Sequence, residues 1–144
     1  MNIQPIILFW LLVVTFIGIA FEIITGYKYL QGPVFFIGAG IIFFLLGVFL
    51  ILLTLKKEEN RDLKRYLLLT GGSAVGFFVG IIMHNLFYGL SIFVGDFKPL
   101  WYLTEILHGL FFVIAVIIMP LLFLAGVFGV ILIKFRRQKD EKSR

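Results

Sequence analysis

The stretch "VFFIGAGIIFFLLGVFLILLTL", residues 34–55, contains no charged side chain and is followed directly by Lys56 and Lys57. About 20 apolar residues in a helix cross the roughly 30 Å hydrocarbon core of a bilayer. Unpaired backbone groups are costly in lipid, so a helix is expected here rather than open sheet. Three further predominantly apolar runs occupy residues 6–25, 66–94 and 101–133. The sequence predicts an all-α integral membrane protein with four transmembrane helices.

The composition of the whole chain agrees with a membrane protein. Apolar residues make up 61% of the 144 residues and charged residues 15%, whereas soluble domains have a charged fraction of about a quarter. The net charge of +5 does not indicate nucleic acid as a partner, because the basic residues flank apolar runs and form no folded basic face. The absence of cysteine excludes disulfides and thiol chemistry. No catalytic motif is present, so an enzyme is not the expected class.

The connections and their charges predict the topology. Three short segments, residues 26–33, 56–65 and 95–100, join the four runs, and short connections favour antiparallel neighbours. Five Lys and Arg lie in the second connection and six in residues 134–144, which leaves only Lys28 and Lys98 for the other side. The positive-inside rule therefore predicts that both termini are cytoplasmic, most simply at the cell membrane. Residues 1–133 form one transmembrane domain and residues 134–144 a basic cytoplasmic tail.

Prolines and glycines predict details of the helices. Pro33 and Pro99 are suited to the first turn of a helix, and Pro120 is expected to distort the fourth span because it lacks a backbone N–H. Glycines mark close helix packing in membranes. Two sets of residues spaced four apart are therefore expected to face the bundle interior: Gly18, Glu22 and Gly26 in the first span, and Gly72, Gly76, Gly80, His84 and Tyr88 in the third. Leucine at Gly76 or Gly80 should then be more damaging than leucine at Gly47.

Ionisable residues within the spans define the candidate site. A charged side chain in the bilayer costs from about 2.5 kcal/mol upward, so such residues normally face the bundle interior or a cavity. Counting about 1.5 Å per residue from Lys28, Asp96 and Lys98 places this group in the outer half of the membrane. The sequence predicts one buried outer-leaflet pocket lined by Glu22, His84, Asn85, Tyr88, Glu105 and His108.

Several functions are open to such a pocket. A metal ion could be held by His84, Glu105, His108 and Glu22, since imidazole and carboxylate ligands suit zinc or iron. His84 and His108 could instead be axial ligands of a haem. A continuous proton path is not predicted, because the inner halves of the spans carry no ionisable residue.

The expected function is that of a small membrane protein whose Glu/His pocket binds a metal, haem or small ligand. The alternative is a structural or assembly subunit in which Glu–His pairs serve only helix packing, worth about 1–2 kcal/mol each. Expected partners are the lipid bilayer and, beyond it, further copies of the chain or a larger membrane complex.

Overall fold

The computed structural model describes residues 3–25, 33–58, 60–95 and 97–142, and this part of the chain contains helices and no strand. The elements are α1 (Ile3–Thr25), α2 (Pro33–Lys57), α3 (Arg61–Phe93), α4 (Lys98–Val113), a π-helical segment (Ile114–Ile118) and α5 (Met119–Lys142). Four of the described stretches are long and apolar enough to cross a membrane: Ile3–Ile24, Ile37–Lys57, Arg61–Phe93 and Lys98–Arg136. The predicted all-helical chain with four membrane-length helices is confirmed.

The helix ends follow the local sequence. Helix α2 begins at Pro33, and Pro99 lies in the first turn of α4, as predicted. Asn60 caps α3, because its side-chain oxygen accepts a hydrogen bond of 2.8 Å from the backbone N–H of Leu63. Helix α5 continues through the basic segment to Lys142. Three residues used in the predictions lie outside the described residues. They are Gly26, which belongs to the predicted stripe of the first span, and Lys28 and Asp96, from which depth was counted.

The π-helical segment explains how the fourth span accommodates Pro120. The backbone N–H of Met119 bonds to the carbonyl of Ile114, five residues earlier, instead of to the carbonyl four residues earlier. Such a widened turn interrupts the regular α-helical hydrogen bonding just before a residue that cannot donate. The irregularity expected at Pro120 therefore takes the form of a π turn.

Close backbone approaches join α3 to its neighbours. A Cβ at Gly47 of α2 would lie 2.9 Å from the carbonyl oxygen of Gly71, and a Cβ at Gly71 would lie 3.0 Å from that of Gly47. On the other side, a Cβ at Gly80 would lie 2.9 Å from the Cβ of Ala115 in the π segment. Glycine at these positions allows the helices to pack closely.

These contacts correct the predicted glycine stripes. Gly47 is as tightly packed as Gly80, so the contacts do not support the expectation that leucine at Gly76 or Gly80 is more damaging than leucine at Gly47. Gly72 and Gly18 were expected to face neighbouring helices, yet a Cβ added at either position would meet no described atom within 4 Å. Residues four apart in an α-helix differ by about 40° in direction, so a stripe spaced by four gradually turns around the helix, and Gly72 at its end has left the contact face.

The core lies where α1, α2, α3 and α5 meet. Phenyl rings from all four helices contact one another, and Phe16 of α1 stacks on Phe123 of α5 with centroids 4.5 Å apart. Phe43 lies between them and Phe77 of α3, at 5.5 Å from Phe123 and 6.0 Å from Phe77. Helix α1 packs mainly against α2, whereas α4 packs mainly against α3 and its own continuation. One side of α4 is therefore left uncovered by the described helices.

Candidate functional site

The two histidines of the chain lie in direct contact between α3 and α4. The rings of His84 and His108 are stacked, with centroids 4.2 Å apart and planes inclined by 23°. Nδ1 of His84 is 3.2 Å from the backbone carbonyl oxygen of His108. A carbonyl oxygen only accepts, so this contact is a hydrogen bond when His84 carries its proton on Nδ1. The neutral His84 ring then has Nε2 as an acceptor.

Glu105 and Tyr88 extend the histidine pair toward the start of α4. Oε2 of Glu105 is 3.8 Å from Nδ1 of His108, one helical turn away, and the two form an ion pair when His108 is protonated. The ring of Tyr88 has its centroid 5.4 Å from that of His108. On the opposite side the ring of Phe112 packs at 5.3 Å from His84. Tyr88, His84, His108 and Glu105 are here called the α3–α4 cluster.

The α3–α4 cluster opens outward from the bundle. The side chain of His108 is 25% exposed, that of Glu105 is 37% exposed, and Tyr88 is 52% exposed. The sequence predicted a buried pocket, and the structure differs because α4 packs on α3 and, among the described elements, on no third helix at this level. Side chains on the seam between two helices are covered on one side only. The cluster is thus a half-open polar patch.

Asn85 and Glu22 do not join the cluster. Asn85 is exposed, and its side-chain amide donates a 2.8 Å hydrogen bond to the backbone carbonyl of Ile81 on its own helix. Glu22 lies on α1, and no described contact links it to the cluster. Its Oε2 atom is buried without a hydrogen-bond partner among the described residues. The six predicted pocket residues therefore separate into one group of four and two isolated residues.

In the described part of the chain, the side chains are not arranged as the metal or haem site that the residue types suggested. Within the described ranges, no group of three or more His, Asp and Glu side chains is placed to hold a metal ion. A haem with two histidine ligands needs each ring to point a nitrogen at the iron from opposite faces. His84 and His108 instead stack face to face at 4.2 Å, which leaves no space for a porphyrin between them.

An apolar cavity lies close to the cluster, and sequence reasoning did not find it. The cavity has a volume of about 770 Å³ and is lined by residues of α1, α2, α3 and the fourth span. Ile81 and Asn85 of α3 belong to its wall, and they lie about one turn before His84 and directly after it. Val116 of the π segment also belongs to the wall and lies about one turn after Phe112. Its lining comes from four separate elements, so no local pattern could have indicated it.

Comparison with protein-family models, with curated proteins and with solved structures found no match. The function therefore has to be inferred from the geometry of the described residues.

Proposed function

We propose that the chain is an antiparallel four-span protein of the cell membrane with both ends cytoplasmic. Residue contacts support the antiparallel arrangement, because partners on neighbouring helices run in opposite order. On α2 and α3, Gly40 lies against Phe78 whereas Gly47 lies against Gly71. The same holds for α3 and the fourth span, where Gly80 meets Ala115, Gly76 meets Met119 and Thr70 meets Gly126.

The basic ends of the helices support the orientation. Nζ of Lys57, at the end of α2, donates a hydrogen bond to the side-chain oxygen of Gln4 near the start of α1. The ammonium group of Lys134 in α5 lies 5.9 Å from the ring centroid of Trp10. One end of the bundle therefore combines the start of α1 with the basic residues, and the positive-inside rule assigns that end to the cytoplasm. The α3–α4 cluster then lies in the outer half of the membrane.

In this membrane protein, the α3–α4 cluster is the binding site for a small polar ligand. The observation that carries this proposal is the exposure of the Glu105 and Tyr88 side chains. Counted from Lys98, Glu105 lies about 10 Å along the helix axis into the proposed span, where hydrocarbon would otherwise surround it. Ionisable side chains facing lipid are expensive, and they normally meet a polar partner or water. The cluster's own contacts cover one side only, so a polar molecule on the open side completes them.

The chemistry of the cluster specifies the ligand class. The His108 imidazole and the Tyr88 hydroxyl provide hydrogen-bond donors, and the Glu105 carboxylate and Nε2 of His84 provide acceptors. The rings of Phe112 and Tyr88 border the histidines. A small uncharged or zwitterionic molecule with both donor and acceptor groups matches this set, whereas a bare metal ion or a haem does not.

Native mass spectrometry of the purified chain in lipid nanodiscs tests the binding role. We expect the wild-type protein to carry a non-covalently bound mass that Glu105→Gln and His108→Ala both lose. Leu110→Ala is the matched control, since Leu110 is an exposed α4 residue outside the cluster. The control should keep the bound mass, and all three variants should remain folded. A wild-type protein with no bound mass, together with cluster variants that are only less stable, would overturn the binding role.

An assembly subunit is the second candidate, favoured by the uncovered apolar face of α4. Leu103, Ile106 and Leu110 of α4 are all exposed. A transmembrane helix of another subunit, including a second copy of the chain, could cover this face. In that case the same spectra would show an oligomer that dissociates in the Glu105→Gln variant, with no small bound mass.

A further inference from the structure

We propose that the apolar cavity between α1, α2, α3 and the fourth span is a binding site for an acyl chain of a membrane phospholipid. This site is separate from the α3–α4 cluster and does not depend on the ligand proposed there. Its floor is formed by Phe16, Phe43 and Phe77, part of the aromatic core that closes the bundle toward its basic end. Pro120 and Val116 form the side that belongs to the fourth span.

On α1 the cavity is lined by residues from Phe16 to Ile24, and α1 packs chiefly against α2 and little against α3. Phe16 stacks on Phe123 across the bundle, and the rest of α1 packs chiefly against α2. Ile24 near the end of α1 is 83% exposed, and Ile82 of α3 is 50% exposed, although both line the cavity. These residues mark an opening toward whatever surrounds the bundle. Because the helices that form the opening are membrane-length, the surrounding medium at this level is hydrocarbon.

Water is a poor occupant for this space. A buried water molecule typically makes about three hydrogen bonds to polar groups, and an apolar cavity lacks them. Among the lining residues only Asn85 has a hydrogen-bonding side chain, and its amide already donates to Ile81. An empty space would leave the lining side chains without dispersion contacts on one side. A hydrocarbon chain restores those contacts and requires no hydrogen bond.

The dimensions and direction of the cavity fit an acyl chain. Its volume of about 770 Å³ falls within the range of about 300–1,000 Å³ that is typical of ligand pockets. From Phe16 to Ile24 the wall follows eight residues of α1, a length of about 12 Å along the helix axis. Acyl chains of a bilayer run in the same direction as membrane-spanning helices. Asn85 lies at the level expected for the outer end, nearer the lipid headgroups.

Photo-crosslinking tests the site directly. The full chain is placed in nanodiscs of phosphatidylcholine that carries a diazirine near the end of one acyl chain, and labelled residues are mapped by mass spectrometry after irradiation. We expect enrichment at Ala20 and Ile81 over lipid-facing positions such as Val14. Ala20→Phe places a ring in the cavity and should reduce labelling at Ile81 several-fold, because the ring occupies space that the acyl chain would fill.

Two further variants provide a control and an alternative to Ala20→Phe. Ala125→Phe makes the same substitution at an exposed residue that does not line the cavity, so it should leave labelling at Ile81 unchanged. If Ala20→Phe does not fold, Val116→Phe reduces the cavity from the opposite wall and should give the same loss. Uniform labelling of all exposed residues in the wild-type protein, or unchanged labelling at Ile81 in a folded cavity-filling variant, would overturn the proposal.

Discussion

Replacing Gly126 with alanine should force α3 and α5 apart. A Cβ at Gly126 would lie 2.9 Å from the backbone nitrogen of Thr70 and 3.2 Å from its Cα. These are main-chain atoms of a fully buried residue, so no side-chain rotation relieves the overlap. Extra atoms in a well-packed interior destabilise the fold by about 1–3 kcal/mol. The higher helix propensity of alanine offsets up to about 1 kcal/mol of this destabilisation. We expect Gly126→Ala to lower the free energy of unfolding by up to about 2 kcal/mol.

Gly72→Ala is the matched control for this prediction. Gly72 lies within α3, and a Cβ there would meet no described atom within 4 Å. The control should therefore be neutral or stabilising by up to about 1 kcal/mol. Reversible unfolding in mixed micelles with increasing dodecyl sulfate measures both free energies. Equal stability of the two variants, to within about 0.5 kcal/mol, would refute the close approach of α3 and α5.

Three other predictions follow from the fold. Gly47→Leu should lower the yield of folded protein in detergent, whereas Gly38→Leu should be tolerated, because only Gly47 has a neighbouring backbone within 3 Å. A cysteine at Asn60 should be protected from an impermeant thiol reagent in sealed cells while one at Gly95 reacts; labelling at Asn60 would contradict cytoplasmic termini. Phe123→Ala should cost about 3–5 kcal/mol of stability in the same micelle assay, since Phe123 is buried at the centre of the aromatic core.

The number and approximate position of the spans could be predicted because they depend on length and hydropathy alone. Helix α3 nevertheless begins at Arg61, five residues before the apolar run, because Asn60 provides a capping side chain ahead of it. The distortion at Pro120 was also predictable, since proline lacks a hydrogen-bond donor wherever it lies in a helix. These features are local, and neighbouring helices do not change them.

The candidate site could be predicted only in part. Depth follows from counting residues, and the prediction that His84 lies close to His108 and Glu105 agrees with the ring stacking between α3 and α4. Whether a residue at that depth joins the site depends on how each helix is rotated and which helix it packs against. Glu22 is at a similar predicted depth, yet α1 packs mainly on α2 and does not bring it to the cluster.

The contact between His84 and His108 is the geometric basis of the proposed site, and disulfide trapping tests it most directly. The chain has no cysteine, so His84→Cys with His108→Cys introduces the only two thiols. In native membranes treated with a mild oxidant, this pair should form an intramolecular disulfide. The disulfide is detected as a decrease in the mass of the intact chain that corresponds to two hydrogen atoms. The pair Glu22→Cys with His108→Cys should remain reduced under the same conditions. Oxidation of the second pair at the same rate as the first, or no oxidation of the first, would contradict the α3–α4 cluster.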